Sequence, residues 1–409
     1  MKHATRMPRP RHAKTRATGF TLVELMVALT IGLVLALAIS LSMLTMGRQF
    51  RVVGSTSAAQ VNAQLALSLI DSAGRTAGAG LFNNGQPVCM GFNAAYGGAV
   101  KSDGAPLLPA RITDGGSGSA SDSLVFSASS AVGPLSGMPV MDAMASSAAD
   151  IVVTDGGLIA ANDLAIVGVP GSASVPCTLF QVTSTPSSGV SCGGNANQCK
   201  TLPRAAGGNY NPAAGTFANE PRYGFADASP VFGPAVVMGL GTTFRQQAFA
   251  VMCETLVEYN AFVDSPACST GPLNFSGGAN ALVTDIVLLQ AQYGISADTS
   301  SDVVTNWVDA KTVGSIDWGS PNSAQVGRIK ALRIVIVSRS KEPAGEEVTP
   351  ASCTNDAGVV NVGPCSFNDA EAPVIDLSAT STPNGASWRR YRYRVQQAVI
   401  PLRNVIWSN

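Results

Sequence analysis

From Phe20 to Gly47 the chain carries a single charge, Glu24, and the 23 residues Leu25 to Gly47 carry none. At about 1.5 Å of rise per residue, a helix of this length crosses a hydrocarbon layer of about 30 Å. The preceding segment holds Lys2, Arg6, Arg9, Arg11, Lys14 and Arg16 and no acid. Such a basic flank keeps the N-terminus in the cytoplasm and sends everything after Arg48 to the outer side. A cleaved secretory signal is the simpler alternative, but its apolar region runs only about 7 to 15 residues and ends in a small-residue exit. Met46-Gly47-Arg48 is a poor exit of that kind.

A carboxylate at the edge of a membrane helix is costly unless it is paired, protonated or able to reach the interface. Glu24 therefore needs a partner. Thr18-Gly19-Phe20-Thr21-Leu22-Val23-Glu24-Leu25 resembles the class III leader junction of type IV pilins and type II secretion pseudopilins. The resemblance implies cleavage between Gly19 and Phe20 by a prepilin peptidase/methyltransferase, N-methylation of Phe20, and Glu24 as the fifth mature residue. A buried cation and a buried anion each cost several kcal/mol alone, whereas a pair offsets much of that cost and fixes register between helices. The expected partner of Glu24 is thus the Phe20 amine of an adjacent subunit. The competing reading is that Glu24 complements its own helix N-terminus or reaches the headgroups.

No proline interrupts Phe20 to Ala79, so the helix is expected to continue beyond the span. Val61, Leu65, Ser68 and Leu69 give the i, i+4, i+7, i+8 stripe of a face laid on a core. Gly78, Gly80 and Asn83-Asn84-Gly85 then stop it. Short apolar runs follow and read as strands: Ser123 to Phe126, Asp150 to Val153, Asp163 to Val167, Thr178 to Val182, Thr242 to Met252, Leu282 to Gln290, Lys330 to Ser338 and Arg392 to Ile400. Leu332 to Val337 has one aliphatic and one mixed face, as near a sheet centre. Arg390, Arg392 and Arg394 alternate with Tyr391 and Tyr393, which reads as a solvated face opposite a packed one rather than a nucleic-acid platform. Asp114 to Ala120, Ser127 to Asp150 and Thr183 to Pro221 read as surface loops. The expected fold is α+β, a long N-terminal helix packed on an antiparallel sheet domain with long disulfide-bonded loops. Its parts are a basic leader at 1–19, a helix at 20–80 with the span at 20–47, and one loop-rich β ectodomain at 81–409, more irregular before about Arg222 than after.

All eight cysteines lie beyond the span, on the side that topology places in an oxidising compartment, and an even count there indicates disulfides. Cys253 with Cys268 and Cys353 with Cys365 are the expected pairs, because each closes a short loop with no other cysteine near. Cys89, Cys177, Cys192 and Cys199 admit three connectivities, of which Cys192–Cys199 with Cys89–Cys177 is favoured. A zinc site is disfavoured by the lack of Cys-x-x-Cys and by histidine usage, since His3 and His12 are the only two and both lie in the leader. The same shortage removes Ser-His-Asp and Cys-His catalysis and histidine-bearing metal sites. Asp298, Asp302 and Asp309 lack the alternation of a calcium loop and read as a solvated turn. No metal or other cofactor is expected. Charged residues make up 13% of the chain, with 26 basic against 26 acidic, so no bulk charge is available to hold nucleic acid.

The C-terminal region adds a second resemblance. Val326-Gly327-Arg328-Ile329-Lys330-Ala331-Leu332-Arg333-Ile334-Val335-Ile336-Val337-Ser338-Arg339-Ser340, then Arg390-Tyr391-Arg392-Tyr393-Arg394-Val395 and the closing Pro401-Leu402-Arg403-Asn404, are similar to the PilW family of type IV minor pilins. It implies a low-abundance, non-catalytic subunit that helps initiate pilus assembly at the tip and supports twitching motility and adhesion. The implied partners are other minor pilins, the major pilin, a tip adhesin and, before assembly, inner-membrane lipid. The implied location is the inner membrane in a single pass, with a periplasmic ectodomain, and then the pilus surface. A minor pseudopilin of type II secretion shares the leader, and a membrane-tethered periplasmic enzyme is the remaining alternative. The mature chain is expected to begin at methyl-Phe20, with 20 basic against 26 acidic side chains.

Overall fold

Leucine and alanine, both strong helix formers, are the commonest residues of the proline-free chain after Thr21, which forms the helix α1 (Leu22–Thr76). The computed structural model describes residues 19, 21–79, 81–83, 86–87, 89–116, 118–129, 137–154, 159–192, 195–226, 228–269 and 275–406. Chain contacts divide into two units, Met1–Gly54 and Ser55–Asn409. In the first unit the apolar side chains of α1 are exposed around the whole circumference, from Leu22 (75%) to Phe50 (76%). Its hydroxyls turn back on the helix: Ser40, Ser42 and Thr45 donate to the carbonyls of Ala36, Ala38 and Leu41 at 2.8 to 3.0 Å. That leaves their polarity satisfied without water, as a lipid-facing helix requires.

In the second unit α1 lays Ala59, Ala63, Ala66, Ile70 and Ala73 on the core, joined by Ala77 in the turn that follows. This differs from the expected stripe: Val61 (56%) and Leu65 (46%) are exposed. The physical reason is close approach. Alanines bring the helix backbone near the sheet, and a Cβ at Gly74 would meet Ile400 Cγ2 at 2.8 Å. Polar pins hold the position: Ser338 Oγ donates to the Ala59 carbonyl (2.6 Å), Asn62 Nδ2 to Thr284 (3.1 Å) and Asn404 Nδ2 to Ala77 (3.0 Å). The helix ends where Gly78 takes a φ of 76° and donates its N–H to Ser127. The expected stop residues Gly80, Asn84 and Gly85 lie outside the described residues.

The longer strands are, in chain order, β1 (Phe92–Tyr96), β2 (Ala99–Ala105), β3 (Ala110–Thr113), β4 (Ser123–Ser129), β5 (Met138–Pro139), β6 (Ile151–Thr154), β7 (Leu164–Gly168), β8 (Cys177–Gln181), β9 (Ser187–Cys192), β10 (Asn195–Leu202), β11 (Val236–Gly241), β12 (Phe244–Met252), β13 (Thr255–Asn260), β14 (Asn280–Thr284), β15 (Ile286–Ser296), β16 (Val304–Val308), β17 (Ile329–Arg339) and β18 (Tyr393–Pro401). A six-stranded sheet runs β2-β1-β8-β7-β11-β5, with β9-β10-β6 as a separate ladder. Along β7, Leu164 and Ile166 enter one core while Ala165 and Val167 enter another, the period of two expected of a sheet covered on both faces. A five-stranded sheet β14-β13-β12-β4-β3 and a four-stranded sheet β16-β15-β17-β18 share the core beneath α1. On the far side of the four-stranded sheet, Val335 and Val337 pack under Ile375, Leu377 and Phe367 from the excursion between β17 and β18.

Four further expectations change. Leu282 to Gln290 is not one strand: Asp285, at φ 61°, ends β14 in one sheet and starts β15 in another. Thr183 to Pro221 is not all loop, since it contains the β9–β10 hairpin; this ladder is rich in serine, asparagine and glycine and so lacks an apolar signature. The region before Arg222 carries most strands of the six-stranded sheet, so it is not the irregular part. Arg390 and Tyr391 do not continue the Arg/Tyr alternation on a strand: Trp388–Arg390 form a 3-10 turn and Tyr391 is buried with the Arg339 guanidinium 4.9 Å from its ring centre, while the strand itself runs within one residue of the expected Arg392 to Ile400.

Candidate functional site

At the start of α1, Thr21 and Glu24 close a reciprocal cap. The Glu24 N–H donates to Thr21 Oγ1 at 3.2 Å, and the Thr21 N–H and hydroxyl both donate to Glu24 Oε2 at 3.1 Å. This is the capping box that Thr-x-x-Glu produces, and it satisfies helix N–H groups that have no partner within the helix. One carboxylate oxygen, Oε1, has no partner among the described residues, so the cap leaves an acceptor for a second donor. Gly19 is exposed. Phe20 and residues 1–18, with their six basic residues and both histidines, lie outside the described residues.

All eight cysteines are joined in pairs, with none free. Cys89 is bonded to Cys177, Cys192 to Cys199, Cys253 to Cys268 and Cys353 to Cys365, at Cα separations of 5.4 to 6.1 Å. Cys89 and Cys177 are buried where β8 runs parallel to β1, and a Cβ on Gly168 would meet the Cys177 sulfur. Cys192 and Cys199 close the β9–β10 hairpin. Cys253 shares with Glu254 a left-handed turn between β12 and β13, at φ 48° and 58°.

Asp298, Asp302 and Asp309 do separate jobs. Asp298 accepts from the Ser300 hydroxyl and the Ser300 and Ser301 amides, which hold its carboxyl below the usual range. Asp302 pairs at 3.2 Å with the buried Lys330. Asp309 accepts from Gln292 and pairs with Lys311 at 2.7 Å. Among the described residues no group of three histidine, cysteine, aspartate or glutamate side chains is placed to hold a metal ion.

Buried charges pin the excursion between β17 and β18 to the four-stranded sheet. Arg333, 1% exposed, reaches Asp369 at 2.7 Å and the Glu371 carbonyl, with its guanidinium 5.0 Å from the Trp307 ring centre and 5.1 Å from that of Phe367. Burial is the main influence lowering its pKa. Arg339 pairs with Glu254 and donates to the Ser381 carbonyl. Asp122 is buried between two backbone donors, Gly115 (2.9 Å) and Ala291 (2.7 Å). Burial pushes its carboxyl up to about 7, against those two hydrogen bonds, and the charges of Asp114 and Asp309 add to the rise. Sequence reasoning missed these buried groups, because their partners come from segments far apart in the chain.

Comparison with known proteins gives two family matches. Residues 269–404 match the model of the Type IV Pilus-assembly protein W family, and residues 14–40 match the prokaryotic N-terminal methylation motif. No curated protein and no solved structure matches the chain.

Proposed function

We propose that this chain, a PilW-type minor pilin on the support of its two family matches, helps initiate type IV pilus assembly as part of a tip complex and so supports twitching motility and adhesion. The observation that carries the reading is the pairing of a fully exposed apolar helix with a methylation-motif junction at its start. An apolar cylinder of this length has two stable surroundings, lipid before assembly and the helices of neighbouring subunits afterwards. The role is structural and non-catalytic, and the PilW match favours the pilus over a secretion apparatus.

In this reading the peptidase/methyltransferase cuts between Gly19 and Phe20 and methylates Phe20, and the ectodomain faces the periplasm until the subunit enters the filament. Other minor pilins, the major pilin and a tip adhesin are its partners. Glu24 keeps its own helix capped through Oε2 and offers Oε1 to the Phe20 amine of an adjacent subunit, which joins the two sequence readings of this residue in one geometry. Glu24→Gln should retain membrane insertion and leader removal, with intact mass giving a chain that starts at methyl-Phe20. Its incorporation into sheared pili, measured by immunoblot, should fall by about tenfold or more, as loss of a charge pair in a poorly solvated site demands. Normal incorporation of the variant would refute the pairing.

A further inference from the structure

The ectodomain holds a cleft of about 720 Å³, within the range of small-molecule sites. Its walls come from β15, β16, the turn of Thr312–Val313 with Ile316–Asp317, the loop before β4 and the excursion between β17 and β18. Two tryptophans line it, Trp307 on β16 and Trp318 after the turn. Arg333 and Arg328 stand over these rings at 5.0 and 5.5 Å from their centres, fixing each indole from one side. Trp318 is 2% exposed and packs into the core beneath α1, and among the described residues its indole N–H has no hydrogen-bond partner.

The polar lining is similarly half engaged. Gln290 Nε2 donates to the Ala120 carbonyl at 2.7 Å and Asn306 Nδ2 to Glu371 at 3.0 Å, which leaves the amide oxygens of both side chains without a donor among the described residues. Lys311 binds Asp309 through one N–H and keeps two. Fixed donors and acceptors therefore stand beside the half-buried indole of Trp307, with the carboxylates largely answered by Lys311, by backbone amides and by side-chain amides. Among the described residues no trio of histidine, cysteine, aspartate or glutamate is placed to hold a metal ion. A neutral molecule with hydroxyls on its rim and C–H groups on its faces fits both halves: each hydroxyl donates and accepts, and aromatic faces attract polarised C–H groups. We propose that this cleft binds a neutral saccharide.

The inference stands apart from the assembly role and can fail without it. The test uses the full chain in a detergent with a zwitterionic rather than a sugar headgroup. The probes are neutral di- and trisaccharides of glucose, galactose and N-acetylglucosamine, followed by saturation-transfer NMR and indole fluorescence. At least one should bind and change the indole emission. Trp307→Ala and Asn306→Ala should each weaken it by about tenfold, while Arg245→Ala on the five-stranded sheet should leave it unchanged. Thermal melting separates misfolding from lost contact, and Asn306→Ala, at an exposed residue, decides the matter if Trp307→Ala does not fold. Pilus incorporation of Asn306→Ala should match wild type. Absence of binding by every probe, equal binding by both cleft variants, or binding confined to sialylated, sulfated or basic-peptide controls would overturn the proposal.

Discussion

Asp122 shows what one residue does to the pH dependence of the whole fold. Its carboxyl is held at about 7 in the folded chain, chiefly by burial and with help from Asp114 and Asp309, against an ordinary value of 3.8. A carboxyl whose folded pKa is raised binds its proton more tightly in the folded state. The resulting stability is complete below the unfolded value and is lost as pH rises from about 4 to about 7, on the order of 4 kcal/mol in all. Lys311, whose pKa is raised mainly by its bond to Asp309, also faces this group and moderates the loss. The melting temperature at constant ionic strength should therefore fall through that interval in wild type. Asp122→Asn should remove this component of the slope while lowering stability at acid pH, since its amide presents N–H groups to one of the two backbone donors. An unchanged slope in the variant would show that other carboxyls set the profile.

On the scale of elements, α1 has two apolar stripes with different fates. The alanine stripe is sealed against the sheets, so Ala66→Leu should overpack it and cost about 1 to 3 kcal/mol, visible as a lower melting temperature. Leu65 lies on the exposed side, so Leu65→Glu should leave stability within about 0.5 kcal/mol and instead reduce incorporation into sheared pili. These opposite outcomes also show where sequence reading succeeds and fails. The existence of α1 was legible, because leucine-rich composition, the absence of proline and Gly78 agree. Its buried face was not, because hydrophobic ranking favours Val61 and Leu65 over alanine, whereas sheet packing selects small side chains that permit close approach. The spacing of Ala59, Ala63, Ala66, Ile70, Ala73 and Ala77 was the available signal. Strands with dense apolar runs, such as β17 and β12, were readable; β9 and β10 were not, since a disulfide and the pairing with β6 hold them where apolar burial does little. Thr21 and Glu24 could be read as a capping pair from spacing alone. The cleft could not, because Gln290, Trp307 and Trp318 meet only after β15, β16 and the following turn have packed.

Across the whole molecule, the cystines differ in how much chain they restrain. Cys89–Cys177 spans 88 residues and ties the approach to β1 to β8, whereas Cys192–Cys199 spans 7 within one hairpin. If a cross-link acts by limiting the unfolded chain, its stabilisation grows with the logarithm of loop length, giving about 4.6 kcal/mol for the long loop and about 2.4 kcal/mol for the short one. The long bridge is also buried at the parallel junction of β1 and β8, so removing it exposes thiols or serines inside a packed core, which adds to the loss. The double variant Cys89→Ser/Cys177→Ser should therefore melt below Cys192→Ser/Cys199→Ser, by about 3 °C or more at about 1.3 °C per kcal/mol for the unit Ser55–Asn409. Peptide mapping without reductant assigns the remaining bridges in each variant and guards against reshuffling. An equal or larger loss in the hairpin variant would mean that the β9–β10 ladder depends on its bond for folding as such. In that case local pairing with β6, rather than loop length, would govern how the polar β9–β10 ladder holds together.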